Sequence, residues 1–304
     1  VKRLDLSLIH LHPGLSRRRA REVIEKGQVS VGGETVLAPG LGVPDDAAIR
    51  WEPHRKALSR ARLTMPVLYR DESILIVDKP AGLLTVPSIP GTSREDTALA
   101  RVQDYMRRLR PRRPYVGVVH RLDRGTSGAL AFALHPAARQ ALRRLFREHH
   151  IERRYVAIVL GAPPDDRGIV DLPIRDSYEG GRRRVARPGE PAHEALTRWL
   201  VVERLGEAAL IEATLETGRQ HQIRVHLAHI GMPVLGDTVY GPSRRPRVDA
   251  PRQMLHARLL AFRHPLAGSA VHAESPLPED FRSVLAALRR RLSEPAGPRR
   301  GRRS

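Results

Sequence analysis

The sequence contains no cysteine, only four lysines, four phenylalanines and two tryptophans. Without a thiol it can form no disulfide framework, thiolate nucleophile, iron–sulfur cluster or thiolate-bound zinc. No stretch approaches the roughly 18 consecutive apolar residues that cross a bilayer. The opening Val1 to Asp5 is polar and carries arginine, and Pro13 interrupts the next stretch, so no secretory signal is legible. The expectation is a cytoplasmic protein with no membrane partner. A Walker phosphate loop, a GxGxxG turn after a strand and an HExxH helix are also missing, which argues against an ATPase, a dehydrogenase and a metalloprotease. Positive charge is what the chain has in excess. Over 304 residues, 53 Lys plus Arg face 33 Asp plus Glu, a net charge of +20, and such a surplus attracts a polyanion, nucleic acid above all. Of these basic residues 49 are arginine, the side chain better suited to phosphate forks and base stacking. Arg, Ala and Pro are together so common that genomic base composition also explains them, which makes the net charge the firmer signal.

At about 100–200 residues per domain, the length suggests two domains. Residues 1–52 read as a small module with apolar periodicity in Leu4–Leu8 and Ala20–Ile24, and with a β-like stretch at Val29 to Val31. Ser16 is placed to cap a helix opening with Arg17, Arg18 and Arg19, and Gly27 to stop it. The module's net charge is only +1, so its positive charge is focused on that helix. Residues 53–65 read as a linker. From residue 66 to 292, short β-rich stretches alternate with helical ones, the pattern of an α+β domain. The strand expectations are Ile74–Val77, Val116–Val119, Leu130–Leu134, Tyr155–Leu160, Leu200–Glu203, Ala208–Leu215 and Leu255–Phe262. Helices are expected over Asp96–Leu109, Pro136–Arg147, His221–Ile230 and Pro278–Leu292. In Pro136–Arg147, Ala138, Leu142 and Leu145 recur at helical spacing, while Arg139, Arg143 and Arg147 share another face, either a solvated surface or an RNA contact. Residues 293–304, rich in Pro, Gly and Arg, read as a disordered basic tail.

Three polar runs carry candidate chemistry. His120 to Gly128 lies between two strand-like segments, a usual seat for reactive groups, and its Asp123 is flanked by Arg121 and Arg124, whose charge favours an ionised carboxylate. Gly125, Ser127 and Gly128 are small enough for a substrate backbone to approach. The alternative is an Asp turn held by local hydrogen bonds. In the second run, Thr217 to His226, donors crowd a helix start that favours anions, and Arg219 is placed to reach a carboxylate or a phosphate. Surface pairing of Arg219 and Arg224 with Glu212 or Glu216 is the competing explanation. His221, His226 and His229 lack an acidic ligand and face different ways on a helix, so no metal site is expected. The third run is Arg153-Arg154-Tyr155, entering a strand, where a lone Tyr is more often core than catalytic.

Taken together these runs resemble the pseudouridine synthases of the RluA type, which isomerise uridine in structured RNA. HRLDRGTSG at 120–128 is similar to the signature around that family's catalytic aspartate. Residues 68–82 are similar to its opening motif, with Asp78 where Asn is common; residues 153–157 match its tyrosine strand, with Arg153 in place of the usual Lys. TGRQHQIRVHLAHIGMPVLGDTVYG at 217–241 matches its arginine helix and following loop, and LHARLLAFRHP at 255–265 resembles its closing strand. The likeness covers residues 66–290. Residues 1–52 resemble, more loosely, the RNA-binding domain named after ribosomal protein S-four. That likeness rests on Arg3-Leu4-Asp5, Ser16-Arg17, Ile24 with Gly27, and Val29 to Gly33, where Gly32 replaces an expected Asn.

The resemblance implies a mixed, mainly antiparallel sheet in the catalytic domain and a small α/β RNA-binding domain before it. It implies Asp123, Tyr155 and Arg219 as catalytic residues: Asp123 provides the anionic group, Arg219 pairs with it, and Tyr155 stacks on the uracil and helps move the proton lost from its carbon five. Substrate contacts are expected from His120, Arg121, Thr126, Ser127, Gln222 and Arg224, with Arg121 filling the stack vacated by a flipped uridine. RNA contacts of the first module are expected from Arg3, Ser16, Arg17, Arg18 and Arg21. Arg107–Arg113, Arg182–Arg187 and the tail are expected to hold phosphates without sequence preference. No cofactor and no metal are implied. Large-subunit ribosomal RNA is the preferred substrate, transfer RNA the second, and the chain is expected to act as a monomer. Two other classes compete: a noncatalytic RNA-binding or ribosome-assembly protein that kept the fold, and an aspartate-dependent nucleoside hydrolase that releases the base.

Overall fold

A computed structural model describes residues 2–36, 39–54, 63–88, 95–109, 114–161, 163–178, 182–242 and 248–293. The N-terminal module comprises β1 (Lys2–Arg3), α1 (Leu4–Leu11), α2 (Arg17–Glu25), β2 (Val29–Val31), β3 (Glu34–Thr35), β4 (Gly42–Val43) and β5 (Ile49–Trp51). Its helices pack Leu4, Leu8, Ala20, Val23 and Ile24 against Val29, Val36 and Val43 in one apolar cluster. As expected, Ser16 Oγ accepts from Arg19 N–H at 3.2 Å and Gly27 follows the helix end with φ 68°. The buried Asp5 was not anticipated as an organiser. It takes both hydrogen bonds of Arg3, at 3.0 Å each, and lies 3.7 Å from Arg17 and 3.3 Å from Arg21. Those bonds from Arg3, with the neighbouring positive charges, hold the Asp5 carboxyl below its ordinary range against the opposing effect of burial.

The remaining elements are β6 (Val67–Arg70), β7 (Ile74–Lys79), α3 (Ala98–Leu109), β8 (Gly117–Val118), β9 (Ser127–Ala133), α4 (Pro136–Arg147), β10 (Glu152–Leu160), β11 (Arg167–Asp171), β12 (Ile174–Arg175), β13 (Ala192–His193), β14 (Leu196–Leu205), β15 (Ala208–Leu215), α5 (Gln222–His229), β16 (Leu255–Arg263), β17 (Ala270–Glu274) and α6 (Glu279–Ser293). One large sheet runs β11-β14-β15-β10-β16-β9-β7-β6, with β17 paired to β16 and β8 to β9. Every pairing in it is antiparallel except β16 with β9. The central strands are buried on both faces, which is why their sequences are apolar runs without alternation. In β9 Leu130 and Phe132 face the cluster shared with α3 and α5, while Ala129, Ala131 and Ala133 face α4 through Ala138 and Leu142. Helix α6 covers the third cluster through Phe281, Val284, Leu285 and Leu288.

Several expectations shift at their edges. Met65, assigned to the linker by composition, is buried in the main core, and Leu63 packs beside it; residues 55–62 of that segment lie outside the described residues. Of the basic tail, Ser293 closes α6 and residues 294–304 lie outside the described residues, as do 110–113 of the expected basic stretch. Strands β11 and β17 were missed, because Arg167–Asp171 and Ala270–Glu274 alternate exposed and buried residues at the sheet's margins and carry few large apolar side chains.

Candidate active site

The loop from His120 to Thr126 connects β8 to β9 at the middle of the sheet, and its shape is fixed from two sides. On one side Lys79 is fully buried at the end of β7 and donates to the carbonyls of Pro80, Leu83 and Arg124 at 2.9, 2.7 and 3.3 Å. Burial pushes the Lys79 ammonium down to about 7. Thr85 Oγ1 both donates to Leu122 O at 2.8 Å and accepts from Leu122 N–H at 3.1 Å. On the other side Arg252 donates to Gly125 O at 3.1 Å and to Ser127 Oγ at 3.1 Å, while its fork holds Asp280 of α6 at 2.6 and 3.0 Å. Gln253 donates to Thr126 Oγ1 at 2.9 Å. Gly128 then enters β9 with φ 116°, where an added Cβ would stand 2.2 Å from Ala257 O of the parallel neighbour β16. Only glycine fits that approach.

This scaffold presents Asp123 to a cleft of about 1100 Å³ lined by Arg121, Asp123, Arg139, Arg143, Tyr155, His221 and Arg224 among others. The ion-pair partner of Asp123 is Arg224, whose Nη1 donates to Oδ2 at 2.9 Å. The expected pairing with Arg219 is thereby corrected. Helix α5 begins at Gln222, so Arg219 precedes it, lies exposed and donates through Nε to Glu194 O at 2.9 Å. Arg224 sits in the first turn and is turned inward, its side chain 5 % exposed. Its remaining fork binds Asp237, Nε to Oδ2 at 2.7 Å and Nη2 to Oδ1 at 2.9 Å, and its guanidinium lies 5.0 Å from the Tyr240 ring centroid. One arginine thus bridges two carboxylates, and although burial works against its charge, the two anions raise its proton affinity further. Burial would raise the Asp237 carboxyl, but the Arg224 bonds and charge, with the Val239 and Tyr240 N–H groups, bring it below its ordinary value.

Tyr155 stands where β10 changes register against β16, between Arg154 and Tyr155, a local irregularity of the kind that re-aims side chains beside active sites. It is 8 % exposed, and burial pushes its phenol up to about 12 against the opposing charge of Arg153. Arg121 is exposed at the cleft and makes no hydrogen bond or ion pair among the described residues. His120 accepts Ala131 N–H at Nε2 (2.9 Å) and stacks on Phe146 at 4.6 Å; burial and then the Arg153 charge push its imidazole down to about 3.

Other expected contacts belong to the scaffold. Ser127 and Gln222 are each 2 % exposed. Ser127 Oγ donates to His256 Nδ1 at 2.9 Å, and Gln222 Oε1 accepts from Thr217 Oγ1 (2.8 Å) and Arg219 N–H (2.9 Å), closing the turn before α5. Thr126 is equally buried, tied to Gln253, so the small residues of the loop meet β16 and the segment leading into it. His226 spans Thr197 and Leu172 O, a structural placement. In the stretch 182–187, Arg184 is forked onto Glu190 at 2.7 and 2.6 Å and Arg183 binds the carbonyls of Arg175 and Asp176 at 3.0 Å each, so both turn inward. In the first module Ser16 is spent on the helix cap, Arg3, Arg17 and Arg21 gather on Asp5, and Arg18 lies exposed. Asp237 and Tyr240 lie inside the matching run 217–241, but the sequence analysis gave neither a role, because their partners come from the helix onto which that loop folds back.

Residues 73–229 match the RNA pseudouridylate synthase family model and residues 2–47 the S4 domain model. An uncharacterized RNA pseudouridine synthase of Bacillus subtilis is 34% identical over 95% of this chain and 95% of its own. The ribosomal large subunit pseudouridine synthase D of Pseudomonas aeruginosa is 35% identical over 95% of this chain and 92% of its own. Among solved structures, human RNA pseudouridylate synthase domain containing 4 superposes with a TM-score of 0.61 at 25% identity, over 74% of this chain and 93% of that one. With a mainly antiparallel sheet carrying the HRLDRGTSG loop and an S4 domain ahead of it, the chain belongs to the RluA-type RNA pseudouridine synthases, RNA-directed isomerases.

Proposed function

We propose that this enzyme converts uridines of large-subunit ribosomal RNA to pseudouridine, with the Asp123 carboxylate at the reacting nucleoside and no added cofactor. The observation that carries the reading is the Asp123–Arg224 contact of 2.9 Å on the wall of a cleft wide enough for a nucleotide. The reaction breaks the bond from ribose C1′ to uracil N1, turns the base, and joins C1′ to C5, whose proton is lost while N1 gains one. Substrate and product contain the same atoms, so the balance requires no oxidant and no phosphoryl donor. Arg224 orients the carboxylate and sets a fixed positive charge against it in the cleft. Tyr155, holding its proton at neutral pH, stacks on the uracil and can only relay a proton, giving one as it takes one.

A uridine within a stem must leave its stack at a cost of a few kcal/mol, and Arg121, exposed at the cleft and without a hydrogen bond among the described residues, is the side chain we assign to fill the vacancy. Arg139, Arg143 and Arg147, spaced one helical turn apart on the cleft side of α4, are the track for the RNA phosphates. We assign residues 1–52 to gripping structured RNA and 66–292 to the chemistry. The preference for large-subunit ribosomal RNA over transfer RNA rests on the names of the full-length relatives, including that of Pseudomonas aeruginosa. Ribosome assembly makes the cytoplasm the proposed place of action.

Comparing pseudouridine maps of RNA from cells with and without the protein tests the substrate, and a missing site in the large-subunit RNA is the expected result. Purified protein incubated with that RNA should leave its mass unchanged; release of free uracil would identify a hydrolase instead. Asp123→Asn, nearly isosteric, is expected to retain fold and RNA affinity while abolishing conversion, and retained turnover would overturn the assignment of Asp123.

A further inference from the structure

His221 occupies the residue before α5 in a left-handed conformation, φ 59° and ψ 15°. Few residues other than glycine take that conformation, His, Asn and Asp most readily, and such backbone positions persist where the surroundings over-determine them. The surroundings here are a directed chain of hydrogen bonds. Arg183 N–H donates to the Tyr240 hydroxyl oxygen at 3.0 Å, and that hydroxyl lies 2.9 Å from His221 Nδ1. With its oxygen accepting from Arg183, the only acceptor that the Tyr240 O–H finds among the described residues is Nδ1. Nδ1 is therefore the unprotonated nitrogen, and the proton of the neutral ring is on Nε2. That N–H faces the cleft, 3.9 Å from Asp123 Oδ1. The separation is too long for a hydrogen bond between the two. Asp123 Oδ1 accepts no other hydrogen bond among the described residues, since Arg224 takes Oδ2.

A donor and an acceptor held about this far apart, each within reach of one further oxygen, suit a hydroxyl that accepts from one and donates to the other. A ribose offers such a group at its 2′ position, and it distinguishes RNA from DNA. We propose that His221 is a substrate-contacting residue that donates its Nε2–H to the 2′-hydroxyl oxygen of the target nucleotide, whose own proton is given to Asp123 Oδ1, with Tyr240 fixing the ring tautomer. This inference rests on the function proposed above. It makes the pair His221 and Asp123 a reader of the sugar at the reacting position.

Two measurements test it. In the free protein labelled with nitrogen-15 histidine, the His221 resonances should show Nδ1 unprotonated and Nε2 protonated, and Tyr240→Phe should shift them towards a mixed population. A protonated Nδ1 in the wild type would overturn the proposal. The second uses a stem–loop RNA spanning a mapped target uridine, with an otherwise identical RNA carrying 2′-deoxyuridine at that position as competitor. For the wild type, the inhibition constant of the deoxy RNA should exceed the KM of the uridine RNA. His221→Asn, which suits the left-handed backbone but lacks the imidazole, should shrink that ratio at least fivefold. An unchanged ratio sinks the role of His221 while leaving the enzyme's activity established. A wild-type protein that converts no uridine in the stem–loop would instead overturn the function on which the inference rests.

Discussion

At the scale of single residues, two arginines five positions apart have opposite fates. Arg224 is fixed by Asp123 and Asp237, whereas the Arg219 side chain reaches only one backbone carbonyl among the described residues. Removing one partner of a buried ion pair leaves the other uncompensated and costs about 3–5 kcal/mol. Arg224→Gln is thus expected to lower the urea midpoint markedly and to reduce conversion by at least 10²-fold. Arg224→Lys keeps the charge without the fork, and should recover part of the stability but little of the activity. Arg219→Gln should change stability by no more than about 0.5 kcal/mol, as surface substitutions do, and lower conversion only severalfold. Equal losses at both positions would show that the pairing is shared. The sequence carried both arginines in one matching run. Which of them turns inward depended on where α5 starts, a matter of one turn closed by Gln222 Oε1. The same reason hid Asp237: an acidic residue in a loop has no legible partner until the loop is folded back onto the helix.

At the scale of elements, the strength of the periodic signal decided what could be read. Helix α4 was legible to the residue, with Pro136 in its first turn and apolar Ala138 and Leu142 one turn apart. Strand β15 was equally clear, because Ala208–Leu215 is apolar apart from Glu212 and Thr214 and lies between two neighbouring strands. The role of α4's arginine face was open in the sequence, since a solvated stripe and a phosphate track have the same spacing. Its position on the cleft wall argues for the track. Every phosphate that a variant no longer neutralises should lower the salt slope of RNA binding by about 0.7–0.9. Replacing Arg139, Arg143 and Arg147 together by Gln should therefore lower the slope of log Kobs against log salt concentration by about 2.1–2.7. Arg144→Gln, on the same helix away from the cleft, should leave it within a few tenths. If the triple variant keeps the wild-type slope, the RNA backbone does not follow α4.

At the scale of the whole molecule, buried neutral histidines tie stability to pH. His256, on β16 beside β9, is fully buried, accepting from Ser127 and donating through Nε2 to Ser275 O at 3.2 Å. Burial pushes its imidazole down to about 4. The folded state therefore binds this proton less readily than the unfolded chain, whose histidine titrates near 6.5. The stabilisation is complete above that value and is lost as pH falls towards 4. His256 alone accounts for a loss on the order of 3 kcal/mol at 1.36 kcal/mol per unit, and His120, pushed down to about 3, acts in the same direction. Urea denaturation at pH 7 and pH 4.5 should show this decline, and His256→Gln should flatten it. A stability that holds or rises on acidification would contradict the burial of a neutral ring.

The sequence by itself determined the large outline. The net positive charge named a polyanionic partner, the alternation of β-rich and helical stretches named an α+β domain, and the Asp123 loop with its matching runs named the chemistry, because composition, periodicity and motif are properties of neighbouring residues. The tertiary structure alone decided the partners. Asp123 and Arg224 are separated by 101 positions in the chain, and Arg252 grips the loop from 127 positions away. Those meetings depend on β9 and β16 lying side by side in parallel and on the backbone path into α5. Contacts of that kind are set by packing in three dimensions, and no local pattern in the chain encodes which of several like-charged side chains will complete them.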